Sequence, residues 1–531
     1  MAEKQKLELT WIGKGEEPKL EPRILLYDKE KSYGDQNTEN MLIHGDNLLA
    51  LKALEQDYTG KVKCVYIDPP YNTGNAFEHY EDGIEHSLWL NMIKPRFELL
   101  WNLLDEKTGS FWVSIDDSEM PYLRVLMDEL FGRDKFVACN VWQKRYSREN
   151  REAIGDVHEY IIVYAKDTKV FKEIRNLTPP DEKQKKVYRN PNNDPKGPWR
   201  PVPMTAQEGH ATREQFYEIT TPSGKIHTPP KGRCWGLSKA TFEKLCSEGR
   251  IYFGKNGDAQ PNVIRYLSEV DGFVPWTWWP SEEVGHTDEA KKEIYALFGK
   301  TNAFETPKPE RLINRILHIA TNPGDLVLDS FLGTGTTAAV AHKMGRNYIG
   351  IEMGKQCYKY CIPRLQKVVD GTDQGGISKT VKWQGGGGFK FYELAPSLLK
   401  KDKHGNWVID KEHYNAEMLA AAVAKLNGYK YDPDEKTFWK QGKSHESSYI
   451  FTTTQFVSAK YLDMLASEMQ EKERLLICCP AFDVGLNDRY ENIIIKKIPQ
   501  SVLDKCDFGV NNYNMSIIDT SDIECESDCD E

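Results

Sequence analysis

The sequence lacks the cysteine pairs and the long apolar runs by which several classes of protein are recognised. None of its eleven cysteines forms a Cys-x-x-Cys pair, and Cys357/Cys361 and Cys525/Cys529 have no histidine nearby, so we expect no metal site. No stretch approaches the roughly 18 apolar residues that a membrane helix needs, and Met1–Lys6 lacks the apolar centre of a signal peptide. These absences predict a cytoplasmic protein with free cysteines and no membrane anchor.

The chain also lacks a positive net charge, and its value of −10 argues at first sight against nucleic-acid binding. The charge is unevenly distributed, however. Residues 141–240 hold 19 Lys and Arg against 12 Asp and Glu, whereas residues 519–531 hold seven acids and no base. Phosphate contacts need a local basic surface, which residues 141–240 can supply, and the acidic end is expected to be disordered and solvated.

The most informative motif is a tetrapeptide at the end of an apolar run. Val62–Ile67 is typical of a buried strand, and Asp68-Pro69-Pro70-Tyr71 ends it, because proline cannot donate to the strand ladder. The turn offers a carboxylate, a fixed backbone carbonyl and an aromatic ring where open α/β sheets bind their ligands. Such groups can stack on a planar ring and accept hydrogen bonds from an exocyclic amine. An ordinary loop with a packed tyrosine fits the same four residues.

A second motif joins a strand, a glycine turn and a helix. Asp325–Asp329 predicts a strand, the loop after it contains Gly333 and Gly335, and Ala338–Ala341 opens a helix. Backbone N–H groups meet a polar ligand in this geometry, and an acid that ends the next strand, Tyr348–Glu352, can bind ribose hydroxyls. The same spacing also fits a nicotinamide-dinucleotide fingerprint, whereas a P-loop is excluded because no Gly-Lys-Ser/Thr follows. The glycine loop alone therefore indicates an adenosine-containing cofactor without identifying it.

The two motifs in this order resemble the amino-methylating DNA methyltransferases that use S-adenosylmethionine, in their circularly permuted β group. That family reads Asp-Pro-Pro-Tyr and Asp-x-Phe-x-Gly-Ser-Gly-Thr-Thr, and the loop from Asp329 to Thr337 departs from it only at Thr334. The resemblance covers about residues 40–370. Within this family, the sequence most resembles the modification subunit of type III restriction-modification systems. Further matching motifs are Leu42–Asn47, His86–Met92, Phe111–Asp117 and Thr306–Pro309.

The resemblance implies a site of two parts and no metal. Tyr71 is expected to stack on the target base, Phe331 to pack near the methionine end of the cofactor and Glu352 to bind its ribose. Asp46 is either a cofactor ligand or a turn residue at a strand end, and Lys308 is either near the cofactor carboxylate or a surface lysine. The implied catalytic residues are Asp68, Pro69, Pro70 and Tyr71. The implied residues for S-adenosylmethionine are Asp46, Lys308, Asp329, Phe331, Gly333, Gly335, Thr336 and Glu352.

Alternation of strands and helices predicts an α/β fold, a doubly wound and mostly parallel sheet of the permuted S-adenosylmethionine-dependent methyltransferase type. An inserted target-recognition region rich in tryptophan, arginine and lysine, and a small C-terminal α/β domain, are expected beside it. The predicted segments are an N-terminal arm 1–39, a catalytic half 40–140, the insertion 141–285, a cofactor half 286–370, a flexible glycine-rich linker 371–388, a C-terminal docking or dimerisation domain 389–512 and an acidic tail 513–531.

The activity that this predicts is methyl transfer to adenine N6 in double-stranded DNA, with the target base extruded from the helix. Cytosine N4 is the near alternative, although enzymes of that kind more often carry serine in place of Asp68. A second hypothesis is a specificity subunit that mainly delivers a helicase-nuclease to DNA. The resemblance implies a homodimer and a helicase-nuclease restriction subunit as partners.

Overall fold

The computed structural model describes residues 8–16, 19–72, 85–147, 153–180, 185–300, 306–445 and 447–503. The chain divides into two compact units. One consists of Leu177–Pro275, and the other contains the segments before and after it. No helix of the described residues is long and apolar enough to cross a membrane.

Strands occur along the whole described chain. In chain order they are β1 Leu25–Gly34, β2 Met41–His44, β3 Cys64–Ile67, β4 Ser110–Ile115, β5 Phe136–Gln143, β6 His158–Ala165, β7 Trp199–Pro203, β8 Thr205–Gln207, β9 Ile219–Thr220, β10 Ile226–His227, β11 Arg233–Trp235, β12 Ile251–Tyr252, β13 Asn262–Tyr266, β14 Trp278–Trp279, β15 Leu326–Asp329, β16 Asn347–Glu352, β17 Gly388–Leu394, β18 Leu399–Lys401, β19 Trp407–Ile409, β20 Lys430–Tyr431, β21 Gly442–His445, β22 Ser448–Thr452, β23 Arg474–Cys479 and β24 Ile493–Lys497.

Helices alternate with these strands. The α-helices are Asn47–Tyr58, His86–Leu103, Met120–Phe131, Thr168–Ile174, Lys239–Ser247, Ser281–Val284, Thr287–Phe298, Glu310–Ala320, Thr336–Lys343, Ile362–Val369, Ser378–Val381, Ala416–Leu426, Ala459–Glu468 and Gln500–Leu503, and a π-helical turn at Cys357–Cys361 precedes the helix Ile362–Val369.

The larger unit is built on a ten-stranded sheet in the order β1-β17-β2-β16-β15-β3-β4-β6-β5-β14. Neighbours from β17 to β4 all pair in parallel, and the antiparallel pairs are β1 with β17, β4 with β6 and β6 with β5. The prediction of a doubly wound, mostly parallel α/β sheet is confirmed. Its switch point lies between β15 and β3, which pair at Val327–Cys64 and Leu328–Val65 although they are far apart in the sequence.

Alternating side chains divide the core between the two faces of this sheet. On β4, Phe111 and Val113 pack with Trp89 and Phe97 on one face. Trp112, between them in the sequence, packs on the other face in the cluster that contains Trp142, Trp279 and Tyr348. Both faces of a parallel sheet are covered in this way, which explains why β3 and β4 are buried at every residue.

The glycine-rich segment 371–388 is predicted as a flexible linker. In the structure it belongs to the larger unit and packs within it. Asp373 is buried and lies 2.7 Å from the Nζ of the buried Lys343, and Ser378–Val381 is helical. Gly388 already belongs to β17, which runs between β1 and β2. The glycines serve close backbone approach here: a Cβ on Gly388 would lie 2.4 Å from the backbone N of Asp35.

The other predicted boundaries also shift. In the insertion 141–285, the residues before Leu177 and after Pro275 belong to the larger unit, because β5, β6 and β14 join the main sheet. The arm 1–39 contains β1, which forms one edge of the main sheet. The tail 513–531 lies outside the described residues. Beyond β17, a five-stranded sheet in the order β20-β21-β22-β23-β24 forms the C-terminal part.

The tryptophans of the insertion divide into two groups. Trp142, Trp199, Trp235 and Trp279 are at most 5% exposed and pack in cores. Trp276 and Trp278 are 55% and 46% exposed. Only the second group is available for a ligand in the described structure, so most of the tryptophan enrichment in this region reflects packing.

Candidate active site

The tetrapeptide of the first motif is held in a turn at the carboxyl end of β3. β3 is buried at every residue, and its ladder stops at the two prolines, which have no N–H to donate. The indole Nε1 of Trp89 donates to the Pro70 carbonyl over 2.8 Å. Asn72 follows with φ of 60°, and its Nδ2 donates over 2.6 Å to the Oε1 of the buried Glu119. Contacts on both sides of the turn therefore fix its conformation.

Both carboxylate oxygens of Asp68 have a partner within the site. The hydroxyl of Tyr71 lies 2.7 Å from Oδ1, and the ammonium of Lys308 lies 2.7 Å from Oδ2. Glu159 on β6 approaches the same two partners, with Oε2 at 3.0 Å from the Tyr71 hydroxyl and 3.5 Å from Lys308 Nζ. Lys308 Nζ also lies 5.0 Å from the centre of the Tyr71 ring. Two acids, a lysine and a tyrosine thus form one connected cluster.

Burial and charge set the protonation behaviour of this cluster. Burial raises the pKa of Asp68 above its ordinary value, Lys308 opposes that rise and Glu159 adds to it. Burial alone would lower the pKa of Lys308, but Asp68 and Glu159 raise it overall, so the lysine is charged. Burial next to Asp68 and Glu159 raises the pKa of Tyr71 well above that of a free tyrosine. At neutral pH the tyrosine is therefore a hydrogen-bond donor.

The glycine loop follows β15, at the edge of the sheet where β3 also ends. Glu352, the last residue of β16, accepts from the backbone N of Gly333 over 2.7 Å and of Gly354 over 3.0 Å. Gly335 has φ of 77° and precedes the helix that begins at Thr336, a left-handed conformation that favours glycine. Glu352 thus holds the loop through the backbone N of Gly333, and the loop leads directly into the N-terminus of the helix that begins at Thr336.

Asp329 ends β15 and carries the most perturbed carboxyl group of the loop. Burial raises its pKa to about 7, Asp68 and Glu352 add to the rise, and Thr337 and the backbone N of Phe331 oppose it. The backbone N of Phe331 donates to Asp329 Oδ1 over 2.9 Å. Among the described residues, the buried Ser330 Oγ has no hydrogen-bond partner. The loop therefore presents a carboxyl group that is only partly ionised at neutral pH, next to a hydroxyl without a partner among the described residues.

A chain of polar contacts connects the glycine loop to the helix that follows β2 and to Arg96. Asn47 Nδ2 donates to the backbone carbonyl of Ser330 over 2.8 Å, and the fully buried Arg96 donates from Nε to Asn47 Oδ1 over 2.5 Å. Arg96 also lies 3.2 Å from Asp46 Oδ2, and Asp46 Oδ1 caps the helix by accepting from Leu49 N over 3.0 Å. Asp46 thus has defined structural partners, and its role as a cofactor ligand stays a prediction.

The structure brings the sequence-predicted residues to one edge of the sheet, at the ends of β2, β3, β15 and β16. Lys308 is not a surface lysine, because its side chain is 10% exposed and its ammonium pairs with Asp68, and its position near the cofactor carboxylate stays a prediction. The sequence analysis did not assign Glu159, Trp89 or Arg96 to the site, although Trp89 lies in the matching motif His86–Met92. For Glu159 the available signal was an acid at the start of the apolar run Tyr160–Ala165.

A model of the DNA methylase family matches residues 62–362, which is more than half of the chain and includes both motifs. The chain belongs to the DNA methylase family. The StyLTI Mod subunit of a type III restriction-modification enzyme from Salmonella typhimurium is 35% identical over 57% of this chain and 50% of its own length. The probable type III HindVI Mod subunit from Haemophilus influenzae is 33% identical, over 67% of this chain and 54% of its own length.

A third relative is the type III EcoPI Mod subunit of Escherichia phage P1, 31% identical over 64% of this chain and 61% of its own length. The chain therefore spans about half the length of the curated relatives it matches. The predicted resemblance to amino-methylating DNA methyltransferases is confirmed at the level of the family.

Proposed function

We propose that this chain transfers a methyl group from S-adenosylmethionine to adenine N6 in double-stranded DNA. In the same proposal it is the modification and site-recognition subunit of a type III-like restriction-modification system. The observation that carries the proposal is the position of Asp68 and the glycine loop at the ends of the paired strands β3 and β15. An amine held at the first and a cofactor held at the second would be neighbours at the switch point of the sheet, where such folds bind ligands.

The turn can activate an exocyclic amine by hydrogen bonding. An adenine amino nitrogen is a weak nucleophile because its lone pair is delocalised into the ring. The Asp68 carboxylate and the Pro69 carbonyl can each accept one N–H and localise that pair, while the Tyr71 ring stacks on the base. Lys308 opposes the rise in the Asp68 pKa that burial causes, and so favours the ionised form that this role requires. Positioning and electrostatics carry such a reaction.

The glycine loop fits S-adenosylmethionine by its donor set. Glu352 places two carboxylate oxygens beside the loop, where they accept from the backbone N of Gly333 and Gly354, and one carboxylate oxygen can accept more than one hydrogen bond, as binding of ribose hydroxyls would require. The unpartnered Ser330 hydroxyl offers a further polar contact, and Asp329, Phe331, Gly333, Gly335 and Thr336 line the same loop. The cofactor supplies an electrophilic methyl group on a sulfonium.

Access to a paired base requires that it leave the DNA stack, at a cost of about a few kcal/mol that stacking on Tyr71 offsets. The compact unit Leu177–Pro275 is the proposed target-recognition region. Its sequence holds basic residues that suit phosphate contacts, among them Lys185, Lys186, Arg189, Arg200, Lys231 and Arg233.

Cytosine N4 methylation is the second candidate, because the same turn accepts any exocyclic amine. Aspartate in place of the more frequent serine at position 68 favours adenine. The deciding experiment transfers labelled methyl groups to unmethylated plasmid DNA and identifies the modified nucleoside, with Asp68→Ala as the control. N6-methyladenine that disappears in Asp68→Ala supports the proposal, and N4-methylcytosine would change the base. Absence of label despite cofactor binding would reject a catalytic role for the chain alone.

The partners are part of the proposal as well. The names of the relatives as type III Mod subunits support a helicase-nuclease restriction subunit as partner, and the region beyond β17 is a candidate for docking or dimerisation. A homodimer predicts a doubled mass in light scattering. Co-purification with the product of a neighbouring helicase-nuclease gene is the matching test of the second partner.

A further inference from the structure

Glu159 is a second carboxylate of the candidate active site that lies outside both sequence motifs. It is 8% exposed and sits near the start of β6, next to the end of β4. Its Oε2 faces the Tyr71 hydroxyl at 3.0 Å and Lys308 Nζ at 3.5 Å, while its Oε1 lies 3.5 Å from Lys144 Nζ. One buried side chain therefore contacts both groups that hold Asp68.

The Tyr71 hydroxyl has a single proton and two carboxylates within reach. Asp68 Oδ1 at 2.7 Å is the nearer acceptor and Glu159 Oε2 at 3.0 Å is the alternative. While the proton points to Asp68, it occupies one of the acceptor positions that an incoming amine needs. If it points to Glu159, that position is open and the tyrosine is still held in place.

We propose that Glu159 is a positioning residue for methyl transfer, accepting the Tyr71 hydrogen bond when the target amine engages Asp68 and holding Lys308 beside that aspartate. The inference rests on the proposed function, because it assigns a role within the same site. No proton leaves the tyrosine in this exchange; only the acceptor of its hydrogen bond changes.

The arrangement needs an ionised carboxylate at position 159. Its two ends serve different partners, Oε2 for Tyr71 and Lys308 and Oε1 for Lys144. An amide has one acceptor oxygen and one donor nitrogen, so a glutamine cannot serve both ends. The other groups that act on Asp68 are the ammonium of Lys308 and the neutral hydroxyl of Tyr71, and Asp68 in turn acts on the carboxyl group of Asp329.

The test compares Glu159→Gln with the matched control Glu106→Gln, an exposed acid paired with Lys166 at 3.1 Å. We expect Glu159→Gln to lower kcat about tenfold or more, with little change in S-adenosylhomocysteine affinity or melting temperature. Equal kcat values for both variants would overturn the proposal.

A double-mutant cycle with Tyr71→Phe separates positioning through the tyrosine from a general structural effect. If Glu159 acts through the hydroxyl, the loss caused by Glu159→Gln shrinks at least about threefold in the Tyr71→Phe background. Fully independent effects would contradict the proposed exchange.

A crystallographic readout separates this inference from the proposed function. If the wild-type chain methylates no DNA, the proposed function fails, and crystal structures still test the role of Glu159. In Glu159→Gln we expect Tyr71 or Lys308 to lose its contact with residue 159 and Lys308 Nζ to move away from Asp68. Wild-type distances at both groups would reject a positioning role.

Discussion

Lys308 and Asp68 are 240 residues apart in the sequence, and their ammonium and carboxylate groups lie 2.7 Å apart in the fold. The contact joins the cofactor half to the turn of the catalytic half. It also opposes the rise in the Asp68 pKa that burial causes. The ion pair therefore favours the ionised form of Asp68, the residue that we propose to bind the amine.

Replacing the lysine should make the activity depend on pH. In Lys308→Met the pKa of Asp68 rises further, so a larger fraction is protonated and unable to accept an N–H. We expect kcat/KM near neutral pH to fall about tenfold or more and to recover in part at higher pH. Pre-steady-state and steady-state methyl transfer across a pH series measures this. Lys52→Met, which loses only a surface contact with Glu55, serves as the control, and a uniform loss at all pH values would contradict the explanation.

The raised pKa of Asp329 predicts that the affinity for a positively charged cofactor depends on pH. Its pKa of about 7 means that it is mostly protonated below and mostly ionised above that value. S-adenosylmethionine carries one more positive charge than S-adenosylhomocysteine. An ionised Asp329 favours the more positive ligand. We therefore expect the affinity for S-adenosylmethionine, divided by that for S-adenosylhomocysteine, to rise about threefold or more between about pH 6 and about pH 8. Calorimetric titration measures the ratio, and Asp329→Asn should remove its pH dependence. A flat ratio in the wild type argues against a titrating carboxyl near the cofactor.

Gly350 on β16 leaves no room for a larger side chain behind the glycine loop. A Cβ at this position would lie 2.6 Å from Leu332 Cδ2, and Leu332 is buried within the loop. Gly350→Ala must displace that side chain. We expect the free energy of unfolding to fall by about 1–3 kcal/mol and the affinity for S-adenosylhomocysteine to fall about tenfold. Gly209→Ala, which meets nothing within 4 Å, is the matched control. Thermal melts and cofactor titration give both numbers, and equal behaviour of the two variants contradicts the packing argument.

The position of β17 predicts where the chain tolerates truncation. A chain that ends at residue 370 lacks β17 and leaves β1 and β2 without their shared neighbour. It also loses Asp373, the partner of the buried Lys343. We expect this chain to be insoluble or unable to bind S-adenosylhomocysteine, whereas one that ends at residue 397 binds it. Cofactor binding by the shorter chain would show that β17 is dispensable.

The sequence predicts the strands and helices around the two motifs well, because each is a short apolar run bounded by proline, glycine or an acid. The strands predicted at Val62–Ile67, Asp325–Asp329 and Tyr348–Glu352 are observed at Cys64–Ile67, Leu326–Asp329 and Asn347–Glu352. Local pattern and local structure agree there, and the doubly wound sheet follows from their alternation.

What could not be predicted depends on contacts between distant segments. Seven glycines in 371–388 favour a flexible linker by composition, and composition does not record that Lys343 needs a buried acid. The partners of Lys308 were equally hidden, since Asp68 and Glu159 come from two other strands. The adjacency of β17 and β2 has no local signal at all.

β1 pairs only with β17 in the main sheet, and Leu25 lies opposite Leu394. β1 leaves the ribosome before β17, so it waits for a partner strand that is made 369 residues later. At about 5–20 residues per second that delay is on the order of 20–70 s. During this time the edge of β2 that β17 will cover is open, and an unpaired strand edge can pair with another chain. Synthesis of this protein thus includes a period in which its sheet is open to aggregation or to assistance by chaperones.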